Sequence, residues 1–287
     1  MQSRNPVLSR IGQEPATGSG SGFAYQEGVA AYQQAQPGLA ATDYAISAQG
    51  AGRAPARFAD RLTINDVIVK TAICFAVLLA GAAVGWRVTP DMPWLTFGSM
   101  LAAVGLGLFV SFSRKVSPPL VLAYAAVEGV FLGGISWTYD AWVATVNPDY
   151  EGLIGQAIVG TLVAFAVMLV LYRTRIVKVN GTFVRIMMVA LISYAVLALA
   201  SFIAALFGVG GGFGFAGLGT LGLVFMGLAI VLAAFTLMLD FKAIEDGIQM
   251  GLPERESWRM AFGLMVTLVW LYLEILRLLA ILALNRD

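Results

Sequence analysis

Residues 260–284 read MAFGLMVTLVWLYLEILRLLAILAL, 25 consecutive positions interrupted by two charges, Glu274 and Arg277. A helix rises about 1.5 Å per residue, so roughly 20 apolar residues cross the ~30 Å hydrocarbon core of a bilayer. Six further runs, at 67–86, 94–112, 119–137, 153–172, 186–207 and 215–239, are each 19 to 25 residues long. Strands of a membrane barrel are near ten residues and alternate in polarity, and these runs do neither. The pattern predicts an all-α integral membrane bundle of seven transmembrane helices.

Composition agrees. Apolar residues make up 59% of the 287 and charged residues 12%, where a soluble domain carries about a quarter charged. Mean hydropathy is +0.81. Such a chain has too little polar surface for a nucleic-acid binder, a coiled coil or a typical cytosolic enzyme. It has no histidine, which excludes imidazole general bases, imidazole zinc sites and haem ligation through imidazole. Any response to pH near neutrality then falls to carboxylates. Its one cysteine, Cys74, cannot form an intrachain disulfide and reads as a small buried side chain.

Residues 1–62 differ from the rest. They hold seven of the nine glutamines, the run Gly18-Ser19-Gly20-Ser21-Gly22, and Pro6, Pro15, Pro37 and Pro55. A stretch without apolar periodicity cannot bury enough surface to offset chain entropy. The expectation is a disordered cytoplasmic tail, and not a signal peptide, ahead of a membrane domain at 63–287. Orientation follows from the basic residues. With the N-terminus inside, 15 of the 18 lysines and arginines fall on the inner side. The segment 138–152 carries Asp140, Asp149 and Glu151 and no base. This places the C-terminus outside and points to a multi-pass protein of the plasma (inner) membrane.

Small residues, Gly81 with its alanine neighbours and then Gly105, Gly107, Gly217, Gly219, Gly222 and Gly227, mark expected close helix packing. The run 208–214 reads as a flexible outer turn.

Charge within hydrocarbon is costly, so ionisable residues inside the runs are the candidates for function. Lys70 and Arg259 lie near run ends, where long side chains snorkel to the interface. Glu128 is mid-run with no partner at helical spacing. Glu274 and Arg277 are i, i+3 and share a helix face, so they form either a self-neutralising structural pair or a functional one. Asp240 closes the sixth run, where an interfacial cap is the competing reading. Phe241, Ile244 and Ile248 continue a helical period beyond it, so the sixth helix can extend and draw Asp240 inward. Contact between Asp240 and Glu274 stays open at this level.

Three stretches carry a resemblance. They are Glu128-Gly129-Val130-Phe131-Leu132-Gly133-Gly134-Ile135-Ser136, Leu239-Asp240-Phe241-Lys242-Ala243-Ile244, and Trp270-Leu271-Tyr272-Leu273-Glu274-Ile275-Leu276-Arg277-Leu278-Leu279. In this order, within seven helices, they resemble the Bax inhibitor family of membrane proteins, and its bacterial branch in particular, over about 64–284. The resemblance implies a pH-sensitive calcium leak. Two aspartates, at the end of the sixth helix and in the seventh, would share a proton in the closed state, and an arginine after the second helix would latch the first. Carried over, these are Asp240, Glu274 in place of the second aspartate, and Arg114 or Lys115. Arg277 stands where relatives often have asparagine, and the segment between the two acids is longer. Ca²⁺ enters as the transported ion, with Asp240 and Glu274 as its candidate ligands, and no resident cofactor is implied. Carboxylates in close contact cannot both ionise, so such a pair titrates as a unit, and oxygen ligands suit Ca²⁺.

Other classes are weaker. An intramembrane aspartyl hydrolase would need a second acidic motif beside Tyr139-Asp140, and no Gly-x-Gly-Asp occurs. A retinal protein needs a lysine in its last helix, and 260–284 has none. The chain is therefore read as not an enzyme. The main alternative is a non-conducting regulator that binds a membrane protease or another membrane protein through its tail and the 242–257 loop.

Overall fold

A computed structural model describes residues 61–113, 115–148, 150–208 and 219–284, with Thr220 and Leu221 described by backbone alone. The expected disordered tail at 1–60 and most of the 208–214 turn lie outside the described residues. The seven helices are α1 (Ile64–Val88), α2 (Trp94–Phe112), α3 (Pro118–Val146), α4 (Leu153–Arg173), α5 (Gly181–Leu206), α6 (Thr220–Gln249) and α7 (Ser257–Leu284). All seven are long and apolar enough to cross a membrane, and the chain is a multi-pass membrane protein.

Local chemistry sets several of the ends. Asp66 N–H donates to Thr63 Oγ1 at 3.2 Å while Asp66 Oδ2 accepts from Thr63 N–H at 3.0 Å, a reciprocal capping box that starts α1. Pro118 and Pro119 open α3 where a missing N–H does no harm. Asn180 caps α5 by accepting from Phe183 N–H at 2.8 Å. A short 3₁₀ turn, Glu254–Glu256, leads into α7.

Two helices outrun their apolar stretches. α3 continues to Val146, so Asp140 belongs to its C-terminal end rather than to a loop. α6 continues ten residues past Leu239. That extension buries Ile244 against Leu62 and Val67, with Ile248, Leu252 and Met260 packed around them. Leu62, which composition groups with the tail, is 2% exposed, and its N–H donates to Leu252 O at 2.8 Å. Lys70 does not simply snorkel. It pairs with Glu254 at 2.6 Å and lies 6.0 Å from the Trp258 ring centroid.

α7 is the hub, touching α1, α3, α4 and α6; α2 leans on α3 and α5 on α6. Its buried face carries Ala261, Met265, Val269, Leu276 and Ala280 into the main core. Large apolar side chains such as Phe112, Ile186 and Phe207 point outward, as expected where lipid is the solvent.

The closest backbone approach is α1 on α3. A Cβ at Gly81, Gly85, Gly129 or Gly133 would collide with Ala126 O, Val130 O, Leu78 O and Ala82 O respectively. Each helix thus brings two glycines four residues apart to one seam. Of the other glycines read as packing positions, Gly107 abuts the Tyr124 ring, while Gly105, Gly219 and Gly227 face open space. For those three the packing expectation does not hold.

Candidate functional site

Extension of α6 brings Asp240 off the helix end and against α7. A Cβ at Gly263 would lie 3.8 Å from Asp240 Oδ1, which places the carboxylate in van der Waals contact with that turn of α7. The Thr267 hydroxyl donates to it. Oδ2 is buried with no hydrogen-bond partner.

Glu274 lies further along α7 and is 8% exposed. Its Oε1 accepts from the Tyr194 hydroxyl of α5 at 2.6 Å and from Trp270 Nε1 at 3.3 Å. The Tyr194 and Trp270 rings pack 5.3 Å apart, so the two donors brace each other. Oε2, like Asp240 Oδ2, is buried and without a partner. Glu274 and Arg277 border a cavity of about 290 Å³ between α5, α6 and α7, closed by Tyr194, Ser201, Met226 and Ala229. Arg277 also interacts electrostatically with Tyr139 and Tyr194.

Asp240, reaching from α6, meets α7 at Thr267, and Glu274 lies on the same stripe of α7 at a different level. Thr267 and Glu274 are i, i+7, which keeps them on one face and separates them by about 10 Å at 1.5 Å per residue. No hydrogen bond joins the two carboxylates, each of which keeps its own hydroxyl donor. The shared-proton contact implied by the resemblance is not formed in this structure.

Glu128, on α3, is the third buried acid. It is 8% exposed and takes a hydrogen bond from Tyr124, one turn earlier on α3. The Tyr124 ring meets Phe262 edge-on at 5.0 Å, and Ser136 Oγ and Tyr272 OH lie 2.8 Å apart. These two registers fix α3 alongside α7 and set Glu128 level with the turn at Met265–Thr267. Glu128 and Asp240 therefore share a level along α7, with Glu274 nearer its C-terminal end.

Arg114 lies outside the described residues. Lys115 borders a small crevice with Ser113 and Arg259, and Arg259 Nη2 donates to Ser113 O at 3.4 Å. Among the described residues no three His, Cys, Asp or Glu side chains converge as a ready-made metal site.

Sequence reading missed Tyr124, Tyr194 and Thr267 as carboxylate partners, and Tyr124, at i−4, overturns the expectation that Glu128 has no partner at helical spacing. The Trp270–Glu274 spacing of four was visible, whereas Tyr194 lies 80 residues away and carries no local signal. Comparison with known families finds a match to the one described as Bax inhibitor 1 like over residues 5–284, which reaches well into the segment that the resemblance omitted. No curated protein matches the chain. With seven spanning helices and a match over nearly its full length, the chain belongs to the Bax inhibitor 1 like family.

Proposed function

We propose that the chain is a pH-sensitive cation leak, with calcium as cargo, controlled by the carboxylates that α6 and α7 hold inside the membrane. One observation carries the reading. Two buried carboxylate oxygens, Asp240 Oδ2 and Glu274 Oε2, have no partner, on a helix where an unpaired polar atom costs several kcal/mol. Oxygens left unsatisfied at such cost suit a passing hard cation, which prefers carboxylate and hydroxyl ligands.

The geometry favours a relay over a single dyad. A cation entering from the side of Asp240 meets Asp240 and Glu128 at one depth and Glu274 about two turns further on. Each acid has a hydroxyl beside it, from Thr267, Tyr124 or Tyr194. A protonated carboxyl is neutral and offers a cation little, while the ionised form attracts and ligates it, so flux rises as pH rises. Arg277 at the outer cavity works against cation occupancy there and holds the rate to a leak. No chemical step is required, and the chain acts as a non-enzymatic conductor of the plasma membrane, with its N-terminus inside and C-terminus outside.

The test is calcium flux in proteoliposomes against pH for the native chain, Asp240→Asn and Glu274→Gln. Both variants keep side-chain size and a hydrogen-bond acceptor while removing the charge. Reduced flux and a flattened pH profile are expected in each. Flux and profile unchanged in both would overturn the proposal.

A further inference from the structure

A cavity of about 900 Å³ lies between the end of α4, the 174–180 connection and the C-terminal extension of α6. Ile64 also lines it, so it opens on the side of the membrane from which α1 enters. Its floor is apolar, from Leu169, Val177, Phe241 and Ile244, and its rim is basic, from Arg173, Arg175, Lys178 and Lys242.

Two of the polar groups there are already engaged. Tyr172 donates to Glu245, and Lys242 pairs with Asp246 one turn on. Arg173, Arg175 and Lys178 form no ion pair among the described residues. Arg173, Arg175 and Lys178 stand exposed around one apolar hollow whose one lining acid, Glu245, is already bonded to Tyr172, a net positive rim that attracts an anion.

The backbone adds a second observation. Arg175 has φ 55°, the sole positive value outside glycine among the described residues. It follows the C-cap of α4, and its N–H donates to Tyr172 O at 3.1 Å. Glycine fits that left-handed position without strain, yet the chain carries a long cationic side chain there and turns it to the cavity rim. Strain kept at such a site points to use.

We propose that this cavity binds the headgroup of an anionic phospholipid, its phosphate held by Arg173, Arg175 and Lys178. The acyl chains would run from the apolar floor along α4, where Val170 is already 57% exposed, below the exposed Ile176 of the connection. Basic hollows between helices at a membrane face recognise such headgroups, and guanidinium groups match phosphate oxygens bidentately. The apolar floor favours a lipid over a soluble phosphate, which would leave it unfilled. This site is independent of the leak reading, because its readout is lipid retention and not flux.

Native mass spectrometry of the full chain, purified in detergent and offered equal phosphatidylglycerol and phosphatidylcholine, tests it. Retention of the anionic lipid should exceed that of the neutral one at least fivefold. The triple variant Arg173→Gln, Arg175→Gln, Lys178→Gln should lose that preference, while Arg173→Lys with Arg175→Lys should keep most of it. Equal retention of both lipids by the native chain overturns the proposal, and so does an unchanged preference in the triple variant. Loss of the preference on adding 10-fold inorganic phosphate over lipid also overturns it, naming a soluble anion as occupant.

Discussion

The α1–α3 seam and the α5–α6–α7 cavity are built from similar residues to opposite effect. At the seam, Gly81 and Gly85 face Gly129 and Gly133, and backbone meets backbone with no room for a methyl group. Around the cavity, α5 touches the bundle sparingly, Gly227 on α6 faces open space, and the space holds two ionisable side chains, Glu274 and Arg277. One side of the molecule is closed by shape and carries no charge at the contact. The other is held by directional bonds from Tyr194 and Trp270 to one carboxylate. Dispersion between backbones tolerates little rearrangement, whereas hydrogen bonds exchange partners at small cost, so the second side is the one able to rearrange.

The strongest way to break this contrast is Gly133→Ala. Its Cβ would meet Ala82 O, Ala82 C and Trp86 N, all backbone atoms that cannot step aside. Overpacking of this kind costs about 3 kcal/mol or more. Cys74 is fully buried in α1, so labelling by a thiol-reactive dye during a thermal ramp reports the loss directly. Unfolding at the native temperature would mean that the seam is softer than its geometry.

Glu274→Gln attacks the other side. The amide oxygen still accepts from Tyr194 and Trp270, so the melting temperature stays close to native. Calcium flux at alkaline pH falls about tenfold, equal to about 1.4 kcal/mol in the barrier. A large drop in stability with unchanged flux would make Glu274 a structural tie and remove the distinction between the two sides.

The contrast also shows what was legible beforehand. Spans are set by bilayer thickness, a property of composition, so all seven helices could be read directly. The acids could be read because charge in hydrocarbon is conspicuous. Helix ends were legible only in part: Phe241, Ile244 and Ile248 continue the helical period of α6 past Asp240, but Leu62 and Met260, the apolar partners that hold the extension, are brought to it only by folding. The same holds for the hydroxyls at the acids. Glycine composition marked close packing at Gly81 but equally at Gly105 and Gly227, where there is none. A glycine shows that approach is permitted, and the facing helix decides whether it happens.

The clasp between α1 and the α6–α7 connection gives a smaller effect. Lys70 is 13% exposed in its side chain and Glu254 45%, so the pair is partly screened. A double-mutant cycle of Lys70→Gln and Glu254→Gln should give a coupling of about 1 kcal/mol or less, read by the same thermal labelling. A coupling well above that would make this end of the bundle as rigid as the seam and extend the closed side of the molecule to it.

The smallest change comes from the same substitution as the first, made where nothing opposes it. A Cβ at Gly227 meets no atom within 4 Å, and alanine in a helix interior is favoured over glycine by about 0.5–1 kcal/mol. Gly227→Ala should therefore raise the melting temperature slightly. Gly107→Ala falls between the extremes, because its Cβ would come 3.0 Å from the Tyr124 ring, a side chain that can yield but also carries the hydrogen bond to Glu128. Three alanines thus rank as loss, near-neutrality and gain, according to whether a backbone, a side chain or open space stands opposite. A uniform response to all three would show that helix propensity outweighs packing in this bundle, and the division into a closed and an open side would fall with it.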